Sequence, residues 1–213
     1  MIDDNFLEDY IEVHIDPEPE MLRNLWRRTN VRHVYPRMCS GHAQGRLLAM
    51  ISSIVAPRRA VELGTFTGYS ALCIAEGMPP DGELHTIEID DEMEPELEEL
   101  FARPHPGAPV TLHIGDALSV LPTLDGEPWD LAFIDANKRF YTEYYELLLP
   151  RMRRGGVILA DNTLWSGKIL HPDARRDAQT AALLDFNDHV AADPRVTRVI
   201  LPLRDGLTMI RVK

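Results

Sequence analysis

Short apolar runs alternate with longer amphipathic stretches along this chain, and that alternation constrains the fold more than any other feature. An apolar run of about four to eight residues reads as a buried strand, and an amphipathic stretch as a helix with one face to cover. Chains that alternate the two build a parallel sheet with helices on both faces. Strands are expected at Arg59–Leu63, 83–89, Val110–Ile114, Trp129–Ile134, 157–160, Val196–Leu201 and Leu207–Val212. A short polar helix is expected over 17–29. Leu47, Leu48, Ile51, Ile54 and Val55 recur at helical spacing until Pro57. Further helices are expected over 69–76, 91–102, 138–149 and 180–191, with loop composition over 163–176. Gly77 is a natural helix stop, and Gly155-Gly156 marks the turn before the fifth strand. Arg204-Asp205-Gly206 carries a hairpin signal, so the last two strands are expected as antiparallel neighbours at a sheet edge.

The chain has 213 residues, enough for one α/β domain with a sizeable core. With 45% hydrophobic and 26% charged residues, global disorder is a poor reading. The net charge of −12 repels nucleic-acid phosphates and anionic lipid heads, so neither is expected as a partner. Such a field suits a cationic ligand or a metal, although most acidic surfaces are simply solvated. Cys39 and Cys73 form no Cys-x-x-Cys pair, which points to reduced thiols in a cytoplasmic protein. Acids stand where a leader peptide would carry bases, and no run of about 18 apolar residues is present to span a bilayer.

The first strand runs into Glu62-Leu63-Gly64-Thr65-Phe66-Thr67-Gly68-Tyr69-Ser70 and then opens a helix. Glycines let the backbone turn sharply and approach a ligand closely. In doubly wound sheets nucleotides bind here, at the carboxyl ends of the strands. Phe66 stands where a phosphate-binding loop has its second glycine, so the turn better suits a nucleoside without phosphates. Tight strand-on-helix packing would also explain a lone Gly-x-x-x-Gly turn. Glu88, at the end of the second strand, is placed to accept hydrogen bonds from ribose hydroxyls; otherwise it is a solvated strand-end acid. Asp116, after the third strand, can receive an adenine amine, cap a helix, or do both.

The fourth strand delivers Phe133-Ile134-Asp135-Ala136-Asn137-Lys138 and the fifth delivers Asp161-Asn162-Thr163-Leu164-Trp165. If these strands are neighbours, Asp135, Asp161 and Asn162 converge at one mouth. Two carboxylates and an amide oxygen form a hard oxygen set suited to Mg²⁺, with Mn²⁺ or Ca²⁺ as alternatives. Each aspartate taken alone reads as a loop cap. Lys138 follows Asp135 by three residues. A nearby cation and partial burial should lower its pKa, and a neutral amine there can take a proton from an acceptor hydroxyl; the alternative is a surface lysine.

These residues resemble the cation-dependent O-methyltransferases, the group of the catechol and caffeoyl-CoA O-methyltransferases. The resemblance runs from about Met38 to Val212 and rests on the glycine-turn block, the Phe133-to-Lys138 block, and Gly155-Gly156-Val157-Ile158 followed by Asp161-Asn162-Thr163-Leu164-Trp165. It implies a Rossmann-like, class I fold: a seven-stranded, mostly parallel sheet with helices on both faces and the last strand antiparallel. It implies one methyltransferase domain over 1–213, divided into an N-terminal helical segment (1–37) and the core (38–213), and usually a homodimer. It implies contacts to S-adenosylmethionine from Met38, Cys39, Ser40, Glu62, Gly64, Thr65, Ser70, Glu88, Ile89, Asp116, Ala117 and Asp135. Asp135, Asp161 and Asn162 match the metal ligands, and Lys138 with Asp135 the catalytic pair. The acceptor it implies is a small hydroxylated aromatic, catechol-like molecule.

This chain departs from the family at two places. The plant enzymes carry an acid-Gly-Gln run where it reads Ala43-Gln44-Gly45-Arg46. The catechol enzyme has a glutamate near its C-terminal hairpin where it reads Leu201-Pro202-Leu203-Arg204. Three rivals share parts of the pattern. Phe66 and the Asp161-Asn162 pair oppose a nicotinamide-dependent dehydrogenase, and the −12 charge opposes a nucleic-acid methyltransferase. Retention of all three candidate ligands and of Lys138 opposes a non-catalytic cofactor-binding scaffold.

Overall fold

A computed structural model describes residues 4–213, with side chains from Asp9 onward. The opening 1–3, weighed above for a leader, lies outside the described residues. Seven strands form one sheet: β1 (Arg59–Leu63), β2 (Glu83–Glu88), β3 (Val110–Ile114), β4 (Trp129–Ile134), β5 (Met152–Ala160), β6 (Val196–Leu201) and β7 (Leu207–Val212). Their order is β3-β2-β1-β4-β5-β7-β6. The first five pair in parallel, and β7 runs antiparallel to both β5 and β6. The expected parallel sheet with an antiparallel last strand is therefore present. The last two strands are antiparallel neighbours at one edge of the sheet, as expected, with β6 outermost and β7 next to β5.

The helices are α1 (Asp4–His14), α2 (Glu20–Arg32), α3 (His42–Val55), α4 (Tyr69–Gly77), α5 (Glu94–Phe101), α6 (Ala117–Val120), α7 (Tyr141–Leu148) and α8 (Ala178–Ala192). Successive strand residues point to opposite faces, so each central strand feeds two cores. Leu131 and Phe133 of β4 join Leu22 and Leu25 of α2, Leu48 of α3, Leu72 of α4 and Leu97 of α5 on one face. Ala132 and Ile134 join Tyr141 and Tyr145 of α7 and Phe186 of α8 on the other. That double burial explains why these strands read as continuous apolar runs.

Several boundaries depart from expectation. The polar helix expected over 17–29 is α2, which starts at Glu20 because Pro19 precedes it with φ −54 and ψ 146, outside the helical region. The expected turn at Gly155-Gly156 lies inside β5, where Gly155 has φ +80 and the register to β4 shifts between Trp129 and Leu131. A glycine bulge of this kind interrupts pairing without ending a strand. The expected loop over 163–176 holds two short 3₁₀ stretches, Trp165–Leu170 and Ala174–Arg176. Among the described residues, no helix is long and apolar enough to cross a membrane. The strand order reverses between β1 and β4, and the crevice at that switch point is where such sheets bind ligands.

Candidate active site

The β1 turn is built around one close approach. Gly64 has φ +97, and a Cβ there would lie 2.2 Å from the Asp135 carbonyl oxygen. Only glycine meets both conditions. Glu88 supports the turn: its Oε2 accepts from the amides of Thr65 at 3.1 Å and Phe66 at 2.7 Å, and its Oε1 from Asp90 at 3.0 Å. A carboxylate offers about four lone-pair sites, so three backbone amides leave little acceptor capacity for ribose. Phe66 itself is held at φ +47.

Glu62 lies beneath this turn and is completely buried. Its Oε2 accepts from Thr86 Oγ1 at 2.6 Å, whereas Oε1 is buried with no hydrogen-bond partner. Burial drives the carboxyl up to about 8; the Ser70 and Thr86 hydroxyls only partly offset this, and the charges of Asp135 and Glu88 reinforce it. Ser70 is buried in the first turn of α4, and Ile89 is 72% exposed past the end of β2. Asp116 does cap α6, accepting from the Leu118 amide at 2.9 Å, with Ala117 buried behind it.

The segment before α3 flanks the same turn. Met38 is exposed, while Cys39 and Ser40 are buried. The Cys39 thiol is pushed up to about 11 by burial, offset in part by the Gly41 backbone, the Arg204 charge and the neighbouring Thr67 side chain of the turn. From the other side, Thr29 Oγ1 of α2 hydrogen-bonds to Thr67 Oγ1 at 3.0 Å.

On the far side of the crevice, β4 and β5 pair in register at Ile134 and Ala160, so Asp135 and Asp161 are the next residues on adjacent strands. The Asp161 amide still donates to the Ile134 carbonyl at 3.0 Å. Burial, and then the Asp135 charge, push the Asp161 carboxyl up to about 6. Asn162 follows in the left-handed region at φ +58, a conformation that asparagine tolerates better than most residues. Lys138 Nζ donates to Asp135 Oδ1 at 2.6 Å and lies 5.3 Å from the centre of the Tyr141 ring. Burial opposes its charge, as the sequence suggested, but the Asp135 carboxylate outweighs burial and holds the ammonium above the ordinary lysine range. The expected lowering is therefore corrected for the ion-paired arrangement.

Two residues at this mouth carried no functional assignment from sequence. Gln44 of α3 is 1% exposed, and its Nε2 donates to Asp161 Oδ2 at 2.7 Å. Arg204, between β6 and β7, donates from Nη1 to Gln44 Oε1 at 2.7 Å and to the Ser40 carbonyl, and from Nη2 to the Arg37 carbonyl at 3.3 Å. Both positions are the departures noted above, which was the available signal. Elsewhere, Glu146, His189 and Asp193 form a possible three-ligand cluster among the described residues. Arg195 Nη2 already bridges Glu146 and Asp193 there, at 2.9 and 2.6 Å.

The model of the O-methyltransferase family matches residues 11–213. Tricin synthase 1 of Oryza sativa subsp. japonica is 35% identical over 91% of this chain and 82% of its own length. Caffeoyl-CoA O-methyltransferase 2 of Zea mays is 32% identical over 98% of this chain and 83% of its own length. Among solved structures, the S-adenosylhomocysteine-bound methyltransferase PaMTH1 of Podospora anserina superposes with a TM-score of 0.89 at 30% identity, covering 99% of this chain and 95% of that one. The O-methyltransferase TomG of Streptomyces achromogenes, in complex with S-adenosylmethionine, gives 0.88 at 29% identity, covering 100% of this chain and 99% of that one.

Proposed function

The chain belongs to the O-methyltransferase family, whose methyl donor is S-adenosylmethionine, and on that premise we propose that it methylates a hydroxyl of a small catechol-like aromatic with the help of a divalent cation. One observation carries the cation: the β4–β5 register sets Asp135 beside Asp161, next to the carbonyl that Gly64 touches. Asp135, Asp161 and Asn162 offer oxygen donors only, the set that Mg²⁺ or Mn²⁺ prefers. Burial first, and then the Asp135 charge, raise the Asp161 carboxyl, and a cation held by both acids would relieve the second of these.

The chain's own residues divide the remaining work. Glu62 Oε1, buried without a partner, would accept from the donor's ammonium group. Exposed Ile89 offers an apolar face to the adenine, Asp116 keeps acceptor capacity for its amine, and Glu88 shapes the turn. A bound divalent cation supplies Lewis acidity, which makes a phenolic hydroxyl more acidic. Lys138 is the basic group at that mouth; with Asp135 engaged by a cation, its ammonium would lose its partner and release its proton to solvent, and the neutral amine would then accept the proton of the hydroxyl. Methyl transfer is then a displacement in which holding oxygen and methyl in line supplies roughly 7–11 kcal/mol of the barrier. The maize relative's name includes caffeoyl-CoA, and a caffeoyl group carries two vicinal phenolic hydroxyls, which supports the acceptor class.

The test is turnover of a panel of vicinal diphenols with S-adenosylmethionine. EDTA should abolish methylation, and Mg²⁺ or Mn²⁺ should restore it. Full turnover in chelator would remove the cation from the scheme, and no turnover of any diphenol with Mg²⁺ would remove the acceptor class.

A further inference from the structure

The contacts of Arg204 and Gln44 close a ring around the mouth of the site. Asp161 leads into the stretch 163–165, whose amides are bound to the β6–β7 hairpin: Thr163 to the Gly206 carbonyl at 3.0 Å, and Leu164 and Trp165 to the Asp205 carbonyl at 2.8 and 3.2 Å. Arg204 sits in that hairpin with φ +49, a conformation that residues with a Cβ rarely adopt. Its guanidinium reaches across the mouth to the carbonyls of Arg37 and Ser40 and to Gln44 Oε1, and Gln44 Nε2 returns to Asp161 Oδ2.

We propose that Arg204 and Gln44 form a positioning relay that ties the aim of the Asp161 carboxylate to the seating of segment 37–40 beside the cofactor turn, so that cation and cofactor bind cooperatively. The proposal rests on the reading above that Asp161 is a cation ligand.

The chemistry of position 44 fits this task. An amide donates through its nitrogen and accepts through its oxygen at the same time. Gln44 therefore satisfies a carboxylate on one side and a guanidinium on the other. A carboxylate at that position could accept from Arg204 but could not donate to Asp161. Because Gln44 is buried, neither contact is exchanged for water without cost. Asp161 Oδ1 is fixed by the Asn162 amide at 2.8 Å, so Gln44 is the remaining partner that sets how the other oxygen points. At the other end, Arg204 holds two carbonyls of the segment whose Cys39 lies against Thr67 of the cofactor turn. A shift in that segment thus reaches Asp161 through three hydrogen bonds, and reorientation of Asp161 reaches the segment by the same route.

Calorimetry on the full chain reads this coupling. S-adenosylhomocysteine is the cofactor probe, because it lacks the sulfonium charge that would itself repel a cation, and Mn²⁺ is the cation probe. In the wild type, saturating Mn²⁺ should tighten S-adenosylhomocysteine by about tenfold, and S-adenosylhomocysteine should tighten Mn²⁺ by the same factor. Arg204→Met and Gln44→Met should each bring that factor close to one, and Arg204→Lys should recover part of it. Circular dichroism and thermal unfolding identify the variants that are folded, so that either one suffices. If Mn²⁺ fails to bind the wild type, the cation site is lost and the relay with it. If Mn²⁺ binds but the coupling is absent in the wild type, or survives in the methionine variants, the cation site stands and the relay is overturned.

Discussion

Lys138 and Asp135 are partners: the ammonium donates to Asp135 Oδ1 at 2.6 Å, so the proposed proton acceptor and a proposed cation ligand share one hydrogen bond. A cation that engages Asp135 therefore competes with Lys138 for the same oxygen. Lys138→Ala should lower kcat by roughly 10²–10⁴-fold, the ordinary contribution of a positioned proton acceptor, while KM for S-adenosylmethionine changes little. Steady-state kinetics with Mg²⁺ decides this, and wild-type turnover in the variant would mean that the acceptor ionises without Lys138.

Glu62 gives the chain a dependence on pH. Its carboxyl sits at about 8 in the fold because of burial, against roughly 4.3 in an unfolded chain. The native chain holds the extra proton between those values, so the stability this group contributes is full below about 4.3 and is lost progressively as pH rises to about 8. Thermal unfolding followed over that range should show a decline in the wild type that Glu62→Gln flattens. A ligand ammonium on Oε1 favours the charged carboxylate, so S-adenosylhomocysteine binding at pH 7 should release protons. Calorimetry in buffers of different ionisation heat measures that release, which should vanish in Glu62→Gln.

Two glycines with similar backbone angles should differ in cost. An alanine Cβ at Gly64 meets the Asp135 carbonyl, whereas at Gly167, with φ +75, nothing lies within 4 Å. Gly167→Ala should cost about 1–2 kcal/mol from backbone strain alone. Gly64→Ala adds overpacking and should cost about 2–6 kcal/mol in total. Urea unfolding of both variants gives the comparison, and equal losses would mean that the carbonyl is free to move.

The hydroxyls of Thr29 and Thr67 link α2 to the proposed cofactor turn, beside the edge-on contact of His33 with Phe66. Thr29→Val removes about 1 kcal/mol of hydrogen bonding and should weaken S-adenosylhomocysteine about fivefold if that contact shapes the bound turn. Leu22 and Leu25 still anchor the helix, so helix content should not change. Unaltered affinity would limit α2 to packing.

What was legible in the sequence was local. The glycine turn, the acids after β2, β4 and β5 and the double-sided strands each announce themselves within a few residues. The start of β5 was hidden because a glycine pair at a bulge has the same composition as a turn. Helix α1 is legible in hindsight, since Phe6, Leu7, Tyr10 and Ile11 recur at helical spacing, but the many acids among them mask the pattern. Gln44 and Arg204 were noticed as differences but had no assigned partners. Their contacts join positions 117 and 160 residues apart, a separation that no local pattern reports.

The contact between Gly64 and the Asp135 carbonyl is made by main-chain atoms, and exchanging side chains does not retune a spacing of that kind. On the proposed reading, the sheet itself would then set the distance between the cofactor turn and the cation ligands, and the choice of acceptor would fall to the surrounding rim, the 3₁₀ stretches over 165–176 and the Arg204 hairpin.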